Sequence, residues 1–543
     1  MKKIKDPIYG YILINDDIIP LIDSPSFQRL RNVIQTSYTA VYPSTLHNRF
    51  THSLGVYHLG KIAFNSLKNN SFDFLENIDN KIIDDLEKSF ILACLCHDLG
   101  HSPFSHTGEV FYNKEQISIE LRDIIDNSDY TFDLNRMSNC VCGKEHEIMS
   151  ALLTLRVFPD IIKKEYYDFF SRCIIGLKYT TSKKTDKEID IIILKNACIE
   201  LLNSSIIDVD KLDYLIRDSY MSGYLSSSID YQRLLEGVSI HKDNIDVPLC
   251  YKKGSLSVLE SVLNAHDMER RWLQSHPAVQ YESFLIQEII KIIDAKISNE
   301  EQSLLCYDAL TEKGINVNNF GNIRYISDVD ILYLAKNHYY EFPIVQEYFN
   351  RANRRHPIWK SEAEYKAYFG EPKNDYLLSI IKDLKESLQN NTYGTCCINE
   401  QFYLGLKEKL EETISEQKNM SQSSSRTFEI KINTMKNEIK LIEKIKEYLE
   451  KLGLKLDLVI LTCEQFRRNI SKDSFKNLLI RFNQSKLVKQ MKELTDINFD
   501  DKDSKNYYYI FYKRDDSKKI DLTTFARLLH DFSTDLKFES EYS

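Results

Sequence analysis

No stretch near the motifs of this sequence is apolar for long enough to cross a bilayer. The run Phe90 to Cys96 stops at His97, well short of the roughly 20 residues a spanning helix needs. A signal-peptide pattern is also missing, since the basic start MKKIKDPIYGY has no apolar core of that kind behind it. A cytoplasmic chain beginning near Met1 is the expectation. Excess positive charge is lacking too: the formal net charge is −9, and gripping nucleic acid by its phosphates needs clustered Lys and Arg. Neither nucleic acid nor a membrane is therefore an expected partner. The 11 cysteines are odd in number and scattered, which argues against a disulfide framework. Cys140, Cys142 and His146 come nearest to a zinc set, but the Cys-x-Cys spacing is tight and no second pair follows at finger spacing. Cys396 and Cys397 read as plain core or surface thiols.

What is present is an ordinary globular composition, 43% hydrophobic and 28% charged, on 543 residues. That length allows two or more domains and a large core. Residues 24–36, SPSFQRLRNVIQT, place Phe27, Leu30, Val33 and Ile34 at helical spacing and predict an amphipathic helix with a basic polar face. Asn48 or Thr51 can cap a second helix through HSLGVYHLGKIAFNSL, with His52 in its first turn. A third runs through ILACLCHDLGH, apolar nearly all round, until Gly100 and Pro103 stop it. Tyr112 to Gly143 reads as a polar insertion before a helix in HEIMSALLTL. The segment NSSIIDVDKLDYLIRDSYMSG reads as a helix with an acidic polar face. Beyond about residue 300 charged helices of low motif content take over. SQSSSR at 421–426 breaks them as a flexible linker, and KNEIKLIEKIKEYLEKL reads as a core helix with a solvated face. LKLDLVILTCEQF and NYYYIFYKR, rich in β-branched and aromatic residues, read as strands of a small α/β appendage.

HDLGHSPFSH carries the most chemistry. Imidazole nitrogen beside carboxylate oxygen, as in His97 and Asp98, is a mixed ligand set that divalent transition metals accept. Helical neighbours point about 100° apart, so an ion reached by both lies in a groove to which other helices add ligands. His52 and Asp210 meet that need. Any one of these histidines alone would read as a satisfied core residue. An adjacent His-Asp pair in an apolar helix weakens that reading, because burying such groups unpaired is costly.

The patterns HNRFTHSLGVYHLG, CHDLGHSPFSHTGE and DVDKLDYLIRD, in that order, closely resemble the HD-domain deoxynucleoside triphosphate triphosphohydrolases. The likeness covers roughly the first half of the chain. It implies a mainly α fold with an HD-type helical bundle over residues 1–299, while the C-terminal helical region with a small α/β appendage over 300–543 is read from the residue patterns alone. The resemblance implies a divalent metal (Mn, Mg, Fe, Co, Ni or Zn) held by His52, His97, Asp98 and Asp210. Such a cation polarises a phosphate and acidifies water, and attack at the α-phosphorus releases nucleoside and tripolyphosphate. By resemblance Arg49, Lys211 and Tyr214 contact the phosphates, and His146 donates the proton to the leaving oxygen. Glu109 stands where the family has an Asp to orient that histidine, and His101 and His106 resemble its supporting histidines. His101, four residues after His97, is expected on the same helical face.

Gln35 and Asp218 match positions that read the sugar 3′-hydroxyl. Three departures weaken the basis for deoxy selectivity: Thr36 replaces an apolar residue, Ser37 and Tyr38 replace a glycine run, and Leu273 in ERRWLQSH replaces a tyrosine. Asp23, Gln28 and Arg31 match an activating-nucleotide site at a subunit interface, which implies a homo-oligomer, a dimer or higher; on the residues alone they line an amphipathic helix equally well. Two alternatives stay open. One is an HD phosphodiesterase or phosphatase acting on a signalling nucleotide or a nucleic-acid end, which would share the ligands but not need Arg49, Lys211 and Tyr214. The other is a nucleotide sensor, against which the intact ligand set speaks. A role in lowering nucleotide pools, for balance or antiviral defence against phage, is what the resemblance would allow.

Overall fold

Helices carry most of the chain in the computed structural model, as its 3.6-residue apolar period predicts. It describes all residues except 128, 132–142, 181–184, 205–206, 225–228, 244–247, 298–302, 318–320, 370–374, 391–394, 419–424, 464–476, 483–486, 495–506, 516–517 and 542–543. The chain divides into two compact units, the first comprising Met1–Gln274, Ile289–Tyr340 and Phe466–Lys502. The second comprises Ser275–Glu288, Glu341–Gln465 and Asp503–Ser543. The chain thus passes between units several times, and the division does not coincide with a single cut at residue 299.

The described helices of the first unit include α1 (Arg49–Asn70), α2 (Asn80–Cys96), α3 (Lys114–Ile125), α4 (Glu145–Val157), α5 (Tyr167–Ile175), α6 (Asp186–Leu202), α7 (Val209–Ser222) and α8 (Leu256–Glu269). The Asn48 side chain caps α1 by accepting the Thr51 N–H at 3.1 Å, and Asp208 caps α7 through the Lys211 N–H at 2.7 Å. Helix α1 packs on α2 and α7, and α5 packs on α2 and α4, so the core lies among Leu54, Leu59, Phe64, Phe90, Leu95, Leu152, Phe170 and Leu212, all buried. A later helix, α9 (Asp328–His338), belongs to this unit as well. Lys2–Asp6 and Gly10–Ile14 form an antiparallel hairpin. A four-stranded sheet runs in the order Val488–Gln490, Leu479–Arg481, Leu249–Lys252, Val238–Ile240, with its central pair parallel.

Two helical expectations are corrected. Residues 24–36 are not one helix: an α turn (Pro25–Gln28) passes into a 3-10 turn (Arg29–Asn32), and Val33 is extended at φ −112° and ψ 108°. Backbone pairing of Ile34 with Asn48 takes the segment out of helix. Helix α2 ends at Cys96, so His97 is its C-cap and His101 lies beyond it. The two histidines do not share a helical face. A Cβ at Gly100 would lie 2.3 Å from the Ser150 backbone nitrogen, so the chain turns off here against α4 only through a glycine.

In the second unit α10 (Glu400–Lys418) packs along α11 (Ser425–Lys451), which contains the near-heptad segment. Both expected strands form: Asp457–Cys463 pairs antiparallel with Tyr507–Tyr512 at the centre of a four-stranded sheet. The first residues of SQSSSR lie outside the described residues, and the helix resumes at Ser425. Among the described residues no helix is long and apolar enough to cross a membrane.

Candidate active site

His52, in the first turn of α1, is fully buried. Its Nε2 lies 3.0 Å from Asp210 Oδ1 at the start of α7, 3.2 Å from His97 Nε2 and 3.4 Å from Asp98 Oδ2. His97 Nδ1 is 2.9 Å from the Cys94 carbonyl, a contact that requires the N–H there and leaves the Nε2 lone pair facing the site. Asp98 Oδ1 is 3.4 Å from the same Nε2. All four expected ligands therefore converge, and ligand atoms of His52, His97 and Asp210 lie within 4.8 Å of one another. Two imidazoles and two carboxylates form a donor set that suits Mn, Fe, Co, Ni or Zn. Two ring nitrogens facing each other among buried carboxylates is an arrangement that a shared cation explains. Burial pulls the His52 pKa down, yet Asp210, Asp213 and Asp98 outweigh it and hold it up at about 9. Without a cation the ring keeps a proton there, which metal binding must displace.

Sequence reasoning missed the support behind His52. Asp213, one turn before Arg217 on α7, is fully buried, with Oδ2 2.7 Å from His52 Nδ1. Arg217 donates to both its oxygens, at 2.9 and 3.0 Å, and the Tyr9 hydroxyl donates to Oδ1 at 2.7 Å. Asp6 completes the network at 3.0 Å from Arg217 Nη1. The i, i+4 spacing of Asp213 and Arg217 within DYLIRD was the available signal. A Cβ at Gly55 would fall 1.9 Å from Asp213 Oδ1, so α1 approaches α7 this closely only through a glycine.

Arg49 is buried and joins three parts of the site. Its Nη1 donates to Asp98 Oδ2 at 2.7 Å, its Nε to Ser105 Oγ at 2.9 Å and its Nη2 to the Gln35 carbonyl at 3.3 Å. Lys211 points from α7 to the Ser204 carbonyl at 2.7 Å and pairs with Asp208. Tyr214 is half-buried one turn after Asp210. Asp218 and Gln35 are buried, and Asp218 Oδ1 lies 2.6 Å from His47 Nε2, a histidine the sequence reading did not single out. The Gln35 Oε1 and Thr36 Oγ1 atoms are buried without a hydrogen-bond partner among the described residues.

A second cluster surrounds Glu109. Its Oε1 lies 2.7 Å from His101 Nδ1 and 2.9 Å from His106 Nδ1, and its Oε2 2.9 Å from His146 Nδ1. The His101 and His146 rings stack at 4.0 Å. His101 also reaches Asp98 Oδ1 at 3.1 Å, so it bridges this cluster to the first. This set too has the donors to hold a metal ion. Burial, Arg49 and His146 lower the His101 pKa to about 3, leaving it neutral. His146 goes the other way: burial opposes its charge, but Glu109 wins and raises it above the ordinary value. Within the cluster, protonation is therefore favoured at His146 over His101.

Of the other expected residues, Gln28 accepts from Arg31 Nε at 2.7 Å, and Arg31 lies over the Phe50 ring at 3.7 Å. Asp23 pairs instead with Lys2 at 2.6 Å. Cys140 and Cys142 lie outside the described residues. Leu273 is buried, in a π-helical turn (Arg270–Gln274).

His52, His97, Asp98 and Asp210 thus meet at one point as a donor set able to hold a divalent cation. Residues 49–152 match the sequence model of the HD domain. It is 28% identical over 343 residues to an uncharacterized protein of Methanocaldococcus jannaschii, covering 63% of this chain and 57% of that one. It is 28% identical over 302 residues to the deoxynucleoside triphosphate triphosphohydrolase SAMHD1 homolog of Dictyostelium discoideum, covering 55% and 51%. The chain thus spans little more than half the length of the curated relatives it matches. A crystal structure of a hypothetical protein from Aquifex aeolicus shares the fold, with a TM-score of 0.51 and 18% identity over 98% of this chain and 99% of that one.

Proposed function

We propose that this protein hydrolyses nucleoside triphosphates, deoxynucleotides foremost, to nucleoside and tripolyphosphate. The observation that carries the reading is His101, which touches Asp98 on one side and Glu109 on the other. It sets a proton-bearing histidine one imidazole away from the metal-type donor set, as breaking a phosphate ester requires. His52, His97, Asp98 and Asp210 would hold a divalent cation, which supplies charge neutralisation at the phosphate and a more acidic water. Arg49 and Lys211 bind the triphosphate charge, with Tyr214 adding a hydroxyl contact. Gln35 and Asp218 orient the sugar. Water attacks the α-phosphorus, the bond from that phosphorus to the nucleoside 5′-oxygen breaks, and His146 gives its proton to that oxygen. Glu109 keeps His146 charged until then, and His101 and His106 brace the carboxylate.

The same reading carries a nucleotide activator at Asp23, Gln28 and Arg31 and a homo-oligomeric active form. Activity then rises with effector and protein concentration. The similarity to the Dictyostelium enzyme supports the substrate class. Ion-exchange chromatography of products, from each deoxy- and ribonucleoside triphosphate singly and mixed with Mn or Mg, tests it against an Asp210→Ala control. Nucleoside plus tripolyphosphate, lost in the variant, is the expected result. Turnover of a cyclic or dinucleotide signal in place of any triphosphate would move the assignment to a phosphodiesterase.

A further inference from the structure

Phe104 and Ser105 are consecutive non-glycine residues in the left-handed region, at φ 58° and 53°. Side chains disfavour that conformation, so the surroundings must hold it. What holds it comes from far along the chain. Asp328 opens helix α9, where the helix N-terminus favours a carboxylate. Its Oδ1 accepts the Phe104 N–H at 2.7 Å and its Oδ2 accepts the Ile34 N–H at 2.8 Å. One buried carboxylate therefore ties together the two loops that flank the site. Ser105 Oγ closes the circuit, donating to the Ile34 carbonyl at 2.5 Å while accepting from Arg49 Nε. Arg49 in turn reaches Asp98 and the Gln35 carbonyl. Arg29 fastens the same region, donating to the Leu99 and His101 carbonyls at 2.8 Å and to the Ile326 carbonyl at 3.1 Å.

We propose that Asp328 is a positioning residue for the nucleotide: by clamping the Ile34 and Phe104 amides it sets Ser105, and through it Arg49 and Gln35, for the triphosphate and sugar. This rests on the triphosphohydrolase reading. Asp328 touches no expected metal ligand, so its effect falls on nucleotide binding rather than on the cation. An Asn in its place can accept one amide but turns an NH2 group toward the other, and the loops come apart.

The test is equilibrium binding of a non-hydrolysable deoxynucleoside triphosphate to the full chain with Mn present, beside Mn binding alone and a thermal melt. Asp328→Asn should weaken nucleotide binding about ten- to a hundredfold, as small misplacements of binding groups do, with Mn affinity unchanged. In an Arg49→Gln background Asp328→Asn should cost less than it does alone, because part of its effect passes through Arg49. Ser105→Ala breaks the same circuit at the surface of the clamp and should weaken nucleotide binding likewise, which keeps the test decisive if Asp328→Asn melts early. Wild-type nucleotide affinity in Asp328→Asn, or losses that simply add in the double variant, would overturn the clamp alone. A wild-type chain that binds Mn but no triphosphate would overturn the functional reading and the clamp with it.

Discussion

Asp213 Oδ2 lies 2.7 Å from His52 Nδ1, on the side of the ring opposite the metal-type donor set. The carboxylate fixes the ring's orientation and leaves Nε2 facing the proposed metal position, while Arg217 and Tyr9 hold the carboxylate itself. Removing such an orienting partner usually costs a metal site about ten- to a hundredfold in affinity. Asp213→Asn should show that loss when Mn binding is titrated at constant pH. An unchanged Mn affinity would remove Asp213 from the account.

Gly55 sets how near α1 comes to that carboxylate. A methyl group there overlaps Asp213 Oδ1, so Gly55→Ala forces either the helix or the carboxylate to move. The expected cost is about 1–3 kcal/mol of stability, the range for overpacking, together with weaker Mn binding. Denaturant unfolding measures the first. A fully stable variant would mean that the contact relaxes freely.

In the proposed reaction His146 is the proton donor, so its charge should set the alkaline limit. As a proton donor it works while protonated, so kcat should hold below its raised pKa and fall as pH climbs through it. Glu109→Gln removes the charge that raises that pKa, and the alkaline limb of the kcat profile should shift to lower pH. A limb that stays in place would exclude His146 as the acid.

The buried Thr36 hydroxyl has no partner among the described residues, which makes it a candidate for reading the sugar in the proposed reaction. If it accepts a 2′-hydroxyl, Thr36→Val should lower ribonucleotide relative to deoxynucleotide kcat/KM by about five- to tenfold, the worth of one hydrogen bond. Competition between paired substrates reads the ratio directly. An unchanged ratio would place the hydroxyl away from the sugar.

The sequence picked out the candidate ligands because they sit in dense local motifs whose residue types have few other uses. HDLGH named His97 and Asp98 from chemistry, DVDKLD added Asp210 with the help of the family resemblance, and a cap at Asn48 or Thr51 marked where α1 begins. What stayed hidden depended on distant partners. Asp213 looked like any polar residue on a helix until Gly55 brought α1 against it. Asp328 stands 224 positions from the amide it holds, and no periodicity signals that. The helix expected over residues 24–36 failed because Ile34 pairs with Asn48, a tertiary contact that overrides an amphipathic pattern.

Hydrolysis in 18O-labelled water, with the products separated and weighed by mass spectrometry, tests the central claim most directly. Attack at the α-phosphorus predicts one labelled oxygen in the tripolyphosphate, none in the nucleoside, and no product when Asp210 is replaced by Ala. Label appearing in inorganic phosphate or in a nucleoside monophosphate, with no tripolyphosphate formed, would contradict it.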